Sequence, residues 1–216
     1  MALTDGERLL GEYLIAGGKG ASSRLFDAID RLLADSGLGI NDLDGFGVAQ
    51  GPGAFTGLRV GIAAVKGLAF ATGKPVAGFS SLAMLAMNLP LAEQPVCSLY
   101  DARRNEVYAG LYSCRTGLPE QLRSDEVIPP ESLVEWISVP TILVGDGALR
   151  YRDRLTELLG GLAIFAPANT HYPRASNGAF IAISSLLQGK GTPPEKLLPF
   201  YLRLSQAEIE KQCRKA

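Results

Sequence analysis

The feature that most constrains the fold is a long apolar stretch that follows a glycine-rich loop. Residues 46–49 predict a short strand, residues 51–57 a loop, and residues 57–72 a helix that ends at Gly73-Lys74-Pro75. Between residues 57 and 71 the only charged side chains are Arg59 and Lys66. A helix that is apolar around most of its circumference has to be covered on more than one side. The sequence therefore predicts either the central helix of a large core or a helix shared with a partner subunit.

Strand and helix patterns alternate along the rest of the chain. A hairpin is predicted over residues 3–10 with its turn at Asp5-Gly6, and a helix from Ser22 or Ser23 to about Asp35. Further strands are predicted at residues 76–79, 96–100, 106–112 and 142–144, and further helices from Ser80 or Ser81 through Asn88, at residues 149–159 and at residues 175–188. The pattern changes near Pro90–Pro95. These signals predict an α/β protein with an N-terminal half, residues 1–95, and a C-terminal half, residues 96–216.

Charge and composition exclude several classes of protein. The 216 residues include 21 Lys plus Arg and 22 Asp plus Glu, which gives a net charge of −1. A protein that binds nucleic acid mainly through its overall charge needs an excess of Lys and Arg, so this class is excluded. Every apolar run of membrane-spanning length is interrupted by a charge or a helix breaker, and residues 1–6 lack the pattern of a signal peptide. The three cysteines, Cys97, Cys114 and Cys213, are odd in number and scattered along the chain. This pattern fits reduced thiols in a cytoplasm better than a set of disulfides. We expect a cytoplasmic protein without a membrane contact.

The single histidine, His171, limits the catalytic chemistry available. A zinc site needs clustered His and Cys ligands, and nucleophilic triads need a histidine base. His171 lies in a polar stretch that ends at Pro173, which predicts a solvated surface loop. The sequence therefore predicts neither a metal site nor a catalytic triad.

The glycine-rich loop is tested against two nucleotide-binding motifs. The phosphate-binding loop motif needs a Gly-Lys pair that is missing after Gly51 or Gly53, and the dinucleotide fingerprint needs an acidic residue about 20 positions further on. Residues 45–92 contain neither Asp nor Glu. Thr56 is a good helix N-cap, and Phe55 could pack on Val60. A structural strand-to-helix turn is the preferred interpretation.

Two helices offer more apolar surface than a half-domain of this size needs. A partner-binding surface is predicted from apolar positions of the first helix and from small or apolar positions of the helix that follows the loop. These positions are Leu25, Ile29, Leu32 and Leu33 in the first helix, and Gly61, Ala64 and Leu68 in the second.

The chain resembles the TsaB (YeaZ) family over nearly its whole length. The most specific match is GVAQGPGAFTGLRVGIAAVKGLA, residues 47–69, where Ala54 replaces the usual serine. The weaker matches are Phe79-Ser80-Ser81-Leu82, Asp101-Ala102-Arg103, Glu106-Val107-Tyr108, Gly145-Asp146-Gly147 and Pro199-Phe200-Tyr201-Leu202-Arg203.

The resemblance implies an actin-like, Hsp70-like ATPase fold (ribonuclease H-like) made of two related halves. It also implies a non-catalytic subunit, without a cofactor or a metal, that activates the catalytic subunit TsaD in forming threonylcarbamoyladenosine in tRNA. The ATPase TsaE and the tRNA would be met through that complex, and the partner surface could form a homodimer when TsaD is absent. The motif that characterises the family is carried here by Gly51, Pro52, Gly53, Phe55, Thr56, Gly57 and Arg59.

The chain departs from the family pattern in two places. Family members have an additional first strand, ending in Asp-Thr-Ser, before the segment that matches Ala2-Leu3, and this sequence begins after that point. Either the start is misassigned or truncated, or another strand fills the gap. The family's His-Ser-Glu at the start of the first helix is Ala21-Ser22-Ser23 here. The contacts that the family makes through that histidine are therefore not expected in this chain.

Two alternative functions belong to other classes. One is a metallopeptidase of the glycoprotease type. The other is an actin-like ATPase or sugar kinase that acts alone, for which Asp101 and Asp146 are the candidate carboxylates at strand ends. Both aspartates also suit ordinary turns.

Overall fold

We describe residues 1–15 and 24–203 of a computed structural model of the chain. The predicted helix start at Ser22 or Ser23, the Ala21-Ser22-Ser23 segment and Cys213 lie outside these ranges. The other two cysteines, Cys97 and Cys114, are buried free thiols.

The N-terminal strands form two separate pairs. The elements are strand β1 (Ala2–Asp5), strand β2 (Arg8–Glu12), helix α1 (Leu25–Asp35), strand β3 (Phe46–Gly51), helix α2 (Phe55–Thr72), strand β4 (Val76–Ser80) and helix α3 (Ser81–Ala86). The predicted hairpin is confirmed, since β1 and β2 pair antiparallel with Asp5 opposite Arg8. β3 and β4 pair parallel, and α2 connects them.

The C-terminal strands form one mixed sheet. Its strands are β5 (Val96–Arg103), β6 (Glu106–Ser113), β7 (Glu120–Ile128), β8 (Thr141–Val144) and β9 (Ala163–Phe165), in the order β7-β6-β5-β8-β9. The helices that follow β8 and β9 are α4 (Asp146–Arg150), α5 (Arg152–Leu159) and α6 (Ala175–Leu187). The predicted β5–β6 pair is confirmed as antiparallel, and β5 also pairs parallel with β8.

Both faces of the C-terminal sheet are covered. On one face Leu99 and Leu143 pack with Leu155 and Trp136. On the other face a second cluster contains Val96 together with residues of α3. Burying aliphatic and aromatic side chains in this way is the main favourable contribution to folding.

The last helix of each part of the chain packs on the strands of the other part. α3 contacts β5 and β6, while α6 contacts all four N-terminal strands. Glu12 at the end of β2 accepts hydrogen bonds from the Ser176 N–H (3.0 Å) and from Arg174 Nε (2.8 Å) at the start of α6. The molecule is therefore an α/β fold in which residues far apart in sequence hold the two regions together.

Helix α2 differs from its prediction in two ways. It begins at Phe55 rather than Gly57, and Ala54 occupies the N-cap position, so Thr56 is not the cap.

By length and apolar composition alone, α2 is the one helix among the described residues that could cross a membrane. The sequence pattern predicts no such helix, because Arg59 and Lys66 interrupt the apolar run. In this structure Ile62 and Ala69 of α2 pack in the core with Phe46.

Candidate partner-binding surface and its neighbouring loop

The loop between β3 and α2 is held by close contacts with the rest of the protein. Gly51 has a φ of 127°, and a Cβ atom there would lie 2.6 Å from the carbonyl oxygen of Phe200. Only glycine fits both conditions. The carbonyl of Pro52 accepts a hydrogen bond from the buried Ser81 hydroxyl. The protein's own groups thus occupy the inner side of the loop.

Phe55 and Arg59 join the loop to the C-terminal segment, which we define as residues 197–203. The ring of Phe55 stacks on Tyr201 with centroids 4.5 Å apart, and the Arg59 guanidinium lies 3.8 Å from the Phe55 ring centroid. Arg59 Nε donates to the Tyr201 hydroxyl at 2.7 Å. Stacking and cation–π contacts of this kind stabilise the arrangement.

The C-terminal segment continues this contact on both sides of the stack. The N–H of Phe200 donates to the carbonyl of Gln50 at 2.8 Å, and Gln50 Nε2 donates to the carbonyl of Leu198 at 2.8 Å. Arg203 donates to the carbonyl of Ala102 at 2.8 Å and forms an ion pair with Glu106. Three of the sequence matches to the family, around residues 51–59, 101–108 and 199–203, are therefore neighbours in space.

The remaining motif positions in the loop are less constrained. Gly53 lies against Leu58, whereas Thr56 and Gly57 are exposed and a Cβ atom on Gly57 would meet open space. These positions are available to a partner, but nothing in their own packing requires their identity.

An open cavity of about 470 Å³ with a mixed polar and apolar lining lies beside the loop. Its lining comes from β3, β4, β7 and the C-terminal segment: Gln50, Gly51, Phe79, Ser80, Gln121, Ser124, Asp125, Leu198, Pro199 and Phe200. The side chain of Asp125 is buried and accepts hydrogen bonds from Ser80, Tyr112 and Gln121. Burial raises the pKa of Asp125, and these three hydrogen bonds oppose the rise. Burial, followed by the neighbouring Asp125, also raises the pKa of Tyr112.

Sequence reasoning did not single out Asp125. It lies in β7, whose sequence EQLRSDEVI reads as a polar loop, and nothing in its neighbours signals burial. Side chains of the same protein donate hydrogen bonds to both oxygens of the Asp125 carboxylate. These contacts account for a buried aspartate at this position without a ligand.

The two candidate catalytic carboxylates both serve a turn at the end of β5. Asp146 Oδ1 accepts from the Asp101 N–H at 3.0 Å, and Asp101 Oδ1 accepts from the Arg103 N–H at 2.9 Å. Asp101 also forms ion pairs with Arg103 (3.0 Å) and Arg150 (3.6 Å). These contacts account for both residues without a metal or a phosphate.

The prediction for His171 is wrong. Its side chain is 1% exposed; Nδ1 accepts from the Gly145 N–H at 3.1 Å and Nε2 donates to the carbonyl of Ala166 at 2.9 Å. The neighbouring residues do form a surface turn, but the ring points inward because these buried backbone groups need partners.

The predicted interface positions of α1 divide into two groups. Leu32 and Leu33 are buried with Leu3, so the prediction that they meet a partner is corrected: they fill the core beneath the hairpin. Leu25 and Ile29 are partly exposed. Phe26, an apolar position of the same helix that is not among the predicted interface residues, is 53% exposed.

The prediction for α2 is corrected at Ala64, which is buried, and stays a prediction at Gly61 and Leu68, which are partly buried. A Cβ atom on Gly61 would point to Val48, Ala64 is 8% exposed, and Leu68 packs on the core beside Phe46. The exposed positions instead form a stripe that we call the outer face of α2: Ala63, Gly67, Phe70 and Ala71. Phe70 is 63% exposed, and a Cβ atom on Gly67 would meet open space. Periodicity alone did not identify this face because α2 is apolar on all sides.

Within residues 1–15 and 24–203, no three His, Cys, Asp or Glu side chains converge as a metal site would require. The predicted lack of a metal and of a cofactor stays a prediction.

The comparisons with known proteins agree with this fold. The family model described as "TsaD: tRNA N6-adenosine threonylcarbamoyltransferase" matches residues 18–211. This places the chain in a class of α/β proteins of the actin-like ATPase superfamily.

Individual relatives narrow the assignment. The chain is 31% identical to the tRNA threonylcarbamoyladenosine biosynthesis protein TsaB of Bacillus subtilis, over 97% of this chain and 91% of the relative. It is 28% identical to the protein of that name in Escherichia coli, over 84% of this chain and 80% of the relative. The solved structure of YeaZ from Pseudomonas aeruginosa superposes with a TM-score of 0.81 at 32% identity, covering 93% of this chain and 92% of that one. The chain belongs to the TsaB (YeaZ) family.

Proposed function

We propose that the chain is a non-catalytic subunit in the biosynthesis of threonylcarbamoyladenosine in tRNA, and that it binds and activates a TsaD-type catalytic subunit. The names of its relatives support the pathway. The finer statements, that it lacks activity of its own and that TsaD is its direct partner, rest on the surface and the chemistry described above.

The single observation that carries the proposal is the outer face of α2. α2 has 18 residues and is almost entirely apolar, yet only Ile62, Ala64 and Ala69 are buried. Phe70 projects from a stripe that is otherwise made of small residues, which would let a second helix approach closely. Contiguous exposed apolar surface of this kind marks a protein–protein contact.

The state of His171 supports the absence of catalysis. Both ring nitrogens are engaged by buried backbone groups, so using His171 as a general base or a metal ligand would break these hydrogen bonds. It is the only histidine in the sequence. This argues against the metallopeptidase alternative, and the turn contacts of Asp101 and Asp146 argue against a stand-alone ATPase.

We also propose the remaining relations of the subunit. TsaE and tRNA are met through the TsaD complex, the outer face of α2 forms a homodimer when TsaD is absent, and the protein acts in the cytoplasm without a membrane contact. The net charge of −1 supports indirect rather than direct tRNA binding.

The fold further supports two related halves. In each, an antiparallel hairpin is followed by a parallel strand pair with a helical connection between its strands: β1-β2 then β3-β4, and β6-β7 then β8-β9. This repetition is what an actin-like fold of two halves requires.

Phe70→Arg tests the proposed partner surface. Because Phe70 is mostly exposed, we expect the variant to fold and melt like the unsubstituted chain. A charged side chain in the contact should weaken binding to the TsaD-type subunit of the same organism by about tenfold or more. Titration calorimetry would measure the binding, and threonylcarbamoyladenosine formation in tRNA would measure the activation.

Leu187→Arg is the matched control, because Leu187 is an apolar residue that is 84% exposed at the end of another helix. It should bind and activate normally. Normal binding and activation by Phe70→Arg would overturn the proposed surface, and threonylcarbamoyladenosine formation at full rate without the chain would overturn the proposed function.

A further inference from the structure

Within residues 1–15 and 24–203, one buried carboxylate differs from two others. The side chains of Glu12 and Asp101 are only 6% and 8% exposed, and each forms an ion pair with at least one arginine. Asp125 is 8% exposed, but no Lys, Arg or His side chain of these ranges forms an ion pair with it. Burying a charge without an opposite charge beside it is unfavourable.

Hydrogen bonds account for the position of Asp125, but they do not neutralise its charge. Oδ1 accepts from the Tyr112 hydroxyl and from Gln121 Nε2 (3.1 Å), and Oδ2 accepts from the Ser80 hydroxyl. All three donors are uncharged groups. Burial still raises the pKa of the Asp125 carboxyl group, so a cation beside it would stabilise its ionised form.

Asp125 lies in the wall of the open cavity beside the loop. It is the only one of the lining residues with an ionisable side chain. The other polar side chains of the lining belong to Gln50, Ser80, Gln121 and Ser124, which are neutral. A phosphate or another anion would therefore meet a carboxylate and no cation in this lining. The charge of the cavity favours a cationic ligand.

The rest of the lining indicates that the ligand has an apolar part. Phe79, Leu198, Pro199 and Phe200 present apolar side chains to the cavity. Methylene groups next to a cationic group pack well on such side chains, and aromatic rings attract the charge itself. The volume of about 470 Å³ is ample for a small organic cation.

The lone pairs of Asp125 select the kind of cation. A carboxylate has roughly four acceptor sites, two on each oxygen. The described contacts use both sites of Oδ1 and one of Oδ2. A guanidinium binds a carboxylate best through both oxygens at once, whereas an ammonium group needs a single acceptor site there. Its other protons can be donated to oxygen atoms of Gln121 and Ser124, which line the same cavity.

We propose that this cavity binds a primary ammonium group carried on an aliphatic chain. The ammonium group pairs with Asp125, and the methylene groups lie against Phe79 and Phe200. A lysine side chain of a partner polypeptide and a free aliphatic diamine share this chemistry. The site is separate from the outer face of α2.

Butylammonium chloride is the probe, because it is protonated at pH 7 as a lysine side chain is. In NMR titrations at constant ionic strength, the amide signals of Ser124 and Asp125 should shift saturably, with a Kd in the millimolar range. Butanol is the matched neutral probe, with the same carbon chain and no charge. It should bind at least about tenfold more weakly, since it cannot replace the charge-assisted contact with Asp125.

Two substitutions place the binding at the carboxylate. Asp125→Asn keeps the size of the side chain and removes its charge, so it should weaken butylammonium binding by about tenfold or more. Ser124→Lys attaches an ammonium group to the cavity wall, so it should block the probe. Leu122→Lys is the matched control, because Leu122 is 54% exposed on the same strand and does not line the cavity. It should bind the probe normally and melt roughly 2–4 °C below Ser124→Lys, in which the added charge is paired.

Two further probes distinguish the sources of the ligand. Nα-acetyl-lysine methylamide presents the ammonium group as a polypeptide does, and diaminobutane presents it as a free diamine. Whichever binds more tightly identifies the source.

Equal binding of butylammonium and butanol would overturn the proposal, and so would the lack of a saturable shift with butylammonium. Ser124→Lys keeps the test decisive where Asp125→Asn fails to fold, because unchanged probe binding in Ser124→Lys would also overturn it. None of these measurements involves TsaD or tRNA, so their outcome is independent of the proposed function.

Discussion

Single residues carry contacts that local sequence does not reveal. His171 follows a polar turn and precedes Pro173, and the turn forms as predicted, but the ring reaches Gly145, 26 positions earlier in the chain. Ser80 is the opposite case: its hydroxyl accepts from the N–H groups of Leu82 and Ala83, so it is the helix cap, one of the two candidates, Ser80 and Ser81, that the sequence offers. A cap depends on neighbours along the chain, whereas the partners of a buried ring depend on the fold.

His171→Ala should destabilise the protein strongly. It leaves the Gly145 N–H and the Ala166 carbonyl without partners and opens a cavity, which together cost about 2–4 kcal/mol. We expect the Tm to fall by roughly 5–10 °C in a thermal melt. Tyr172→Ala, which changes an exposed ring one position further on, should shift the Tm by only a small fraction of that. Equal effects of the two substitutions would show that the buried hydrogen bonds contribute little.

At the scale of elements, the sequence pattern predicts strand pairs correctly where typical turn residues connect them. The hairpin at Asp5-Gly6 and the β5–β6 pair around Arg104-Asn105 were predicted because turn residues separate apolar runs. β7 was missed because an edge strand with one solvated face can be mostly polar, and β9 because it has only three residues. The predicted helix over residues 149–159 is interrupted at Tyr151, so α4 and α5 are separate.

The contact between β2 and α6 makes stability depend on the ionisation of Glu12. Burial would raise the pKa of Glu12, but hydrogen bonds from Arg174 and Ser176 outweigh it, so the pKa is lowered below its ordinary 4.5. A lowered pKa means that the contribution is fully present above about pH 4.5 and is lost as the pH falls through the folded-state pKa.

Glu12→Gln should therefore destabilise the protein by about 1–2 kcal/mol at pH 7, since it replaces charge-assisted hydrogen bonds with neutral ones. The difference from the unsubstituted chain should shrink as denaturation is repeated at pH values progressively below 4.5. Glu7→Gln, in the exposed turn of the same hairpin, should be nearly neutral at every pH. A Glu12→Gln penalty that stays constant with pH would contradict this account.

At the scale of the whole molecule, the motif around residues 51–59 makes its main contacts with residues that are far away in the sequence. The sequence identifies the loop as a tight strand-to-helix turn but cannot show that Tyr201, 142 positions after Arg59, closes over it. The partner surface could not be located from sequence for the same reason. An apolar sequence indicates that a helix is buried on several sides, but which side of α2 stays exposed depends on where β3 and the C-terminal segment lie. Prediction from sequence therefore found the helix and missed its exposed face.

The C-terminal segment should hold the start of α2 in place through Tyr201. Tyr201→Ala removes the stack on Phe55 and the hydrogen bond from Arg59, and we expect a loss of about 1–2 kcal/mol. The N–H of Leu58, which donates to Ala54 at 3.0 Å in the first turn of α2, should then exchange roughly tenfold faster. Tyr201→Phe keeps the ring and loses only the hydroxyl, so it should retain most of the protection. If the Leu58 N–H stays equally protected in Tyr201→Ala, the loop and α2 hold their conformation without Tyr201. The contact with the C-terminal segment would then not stabilise the start of α2.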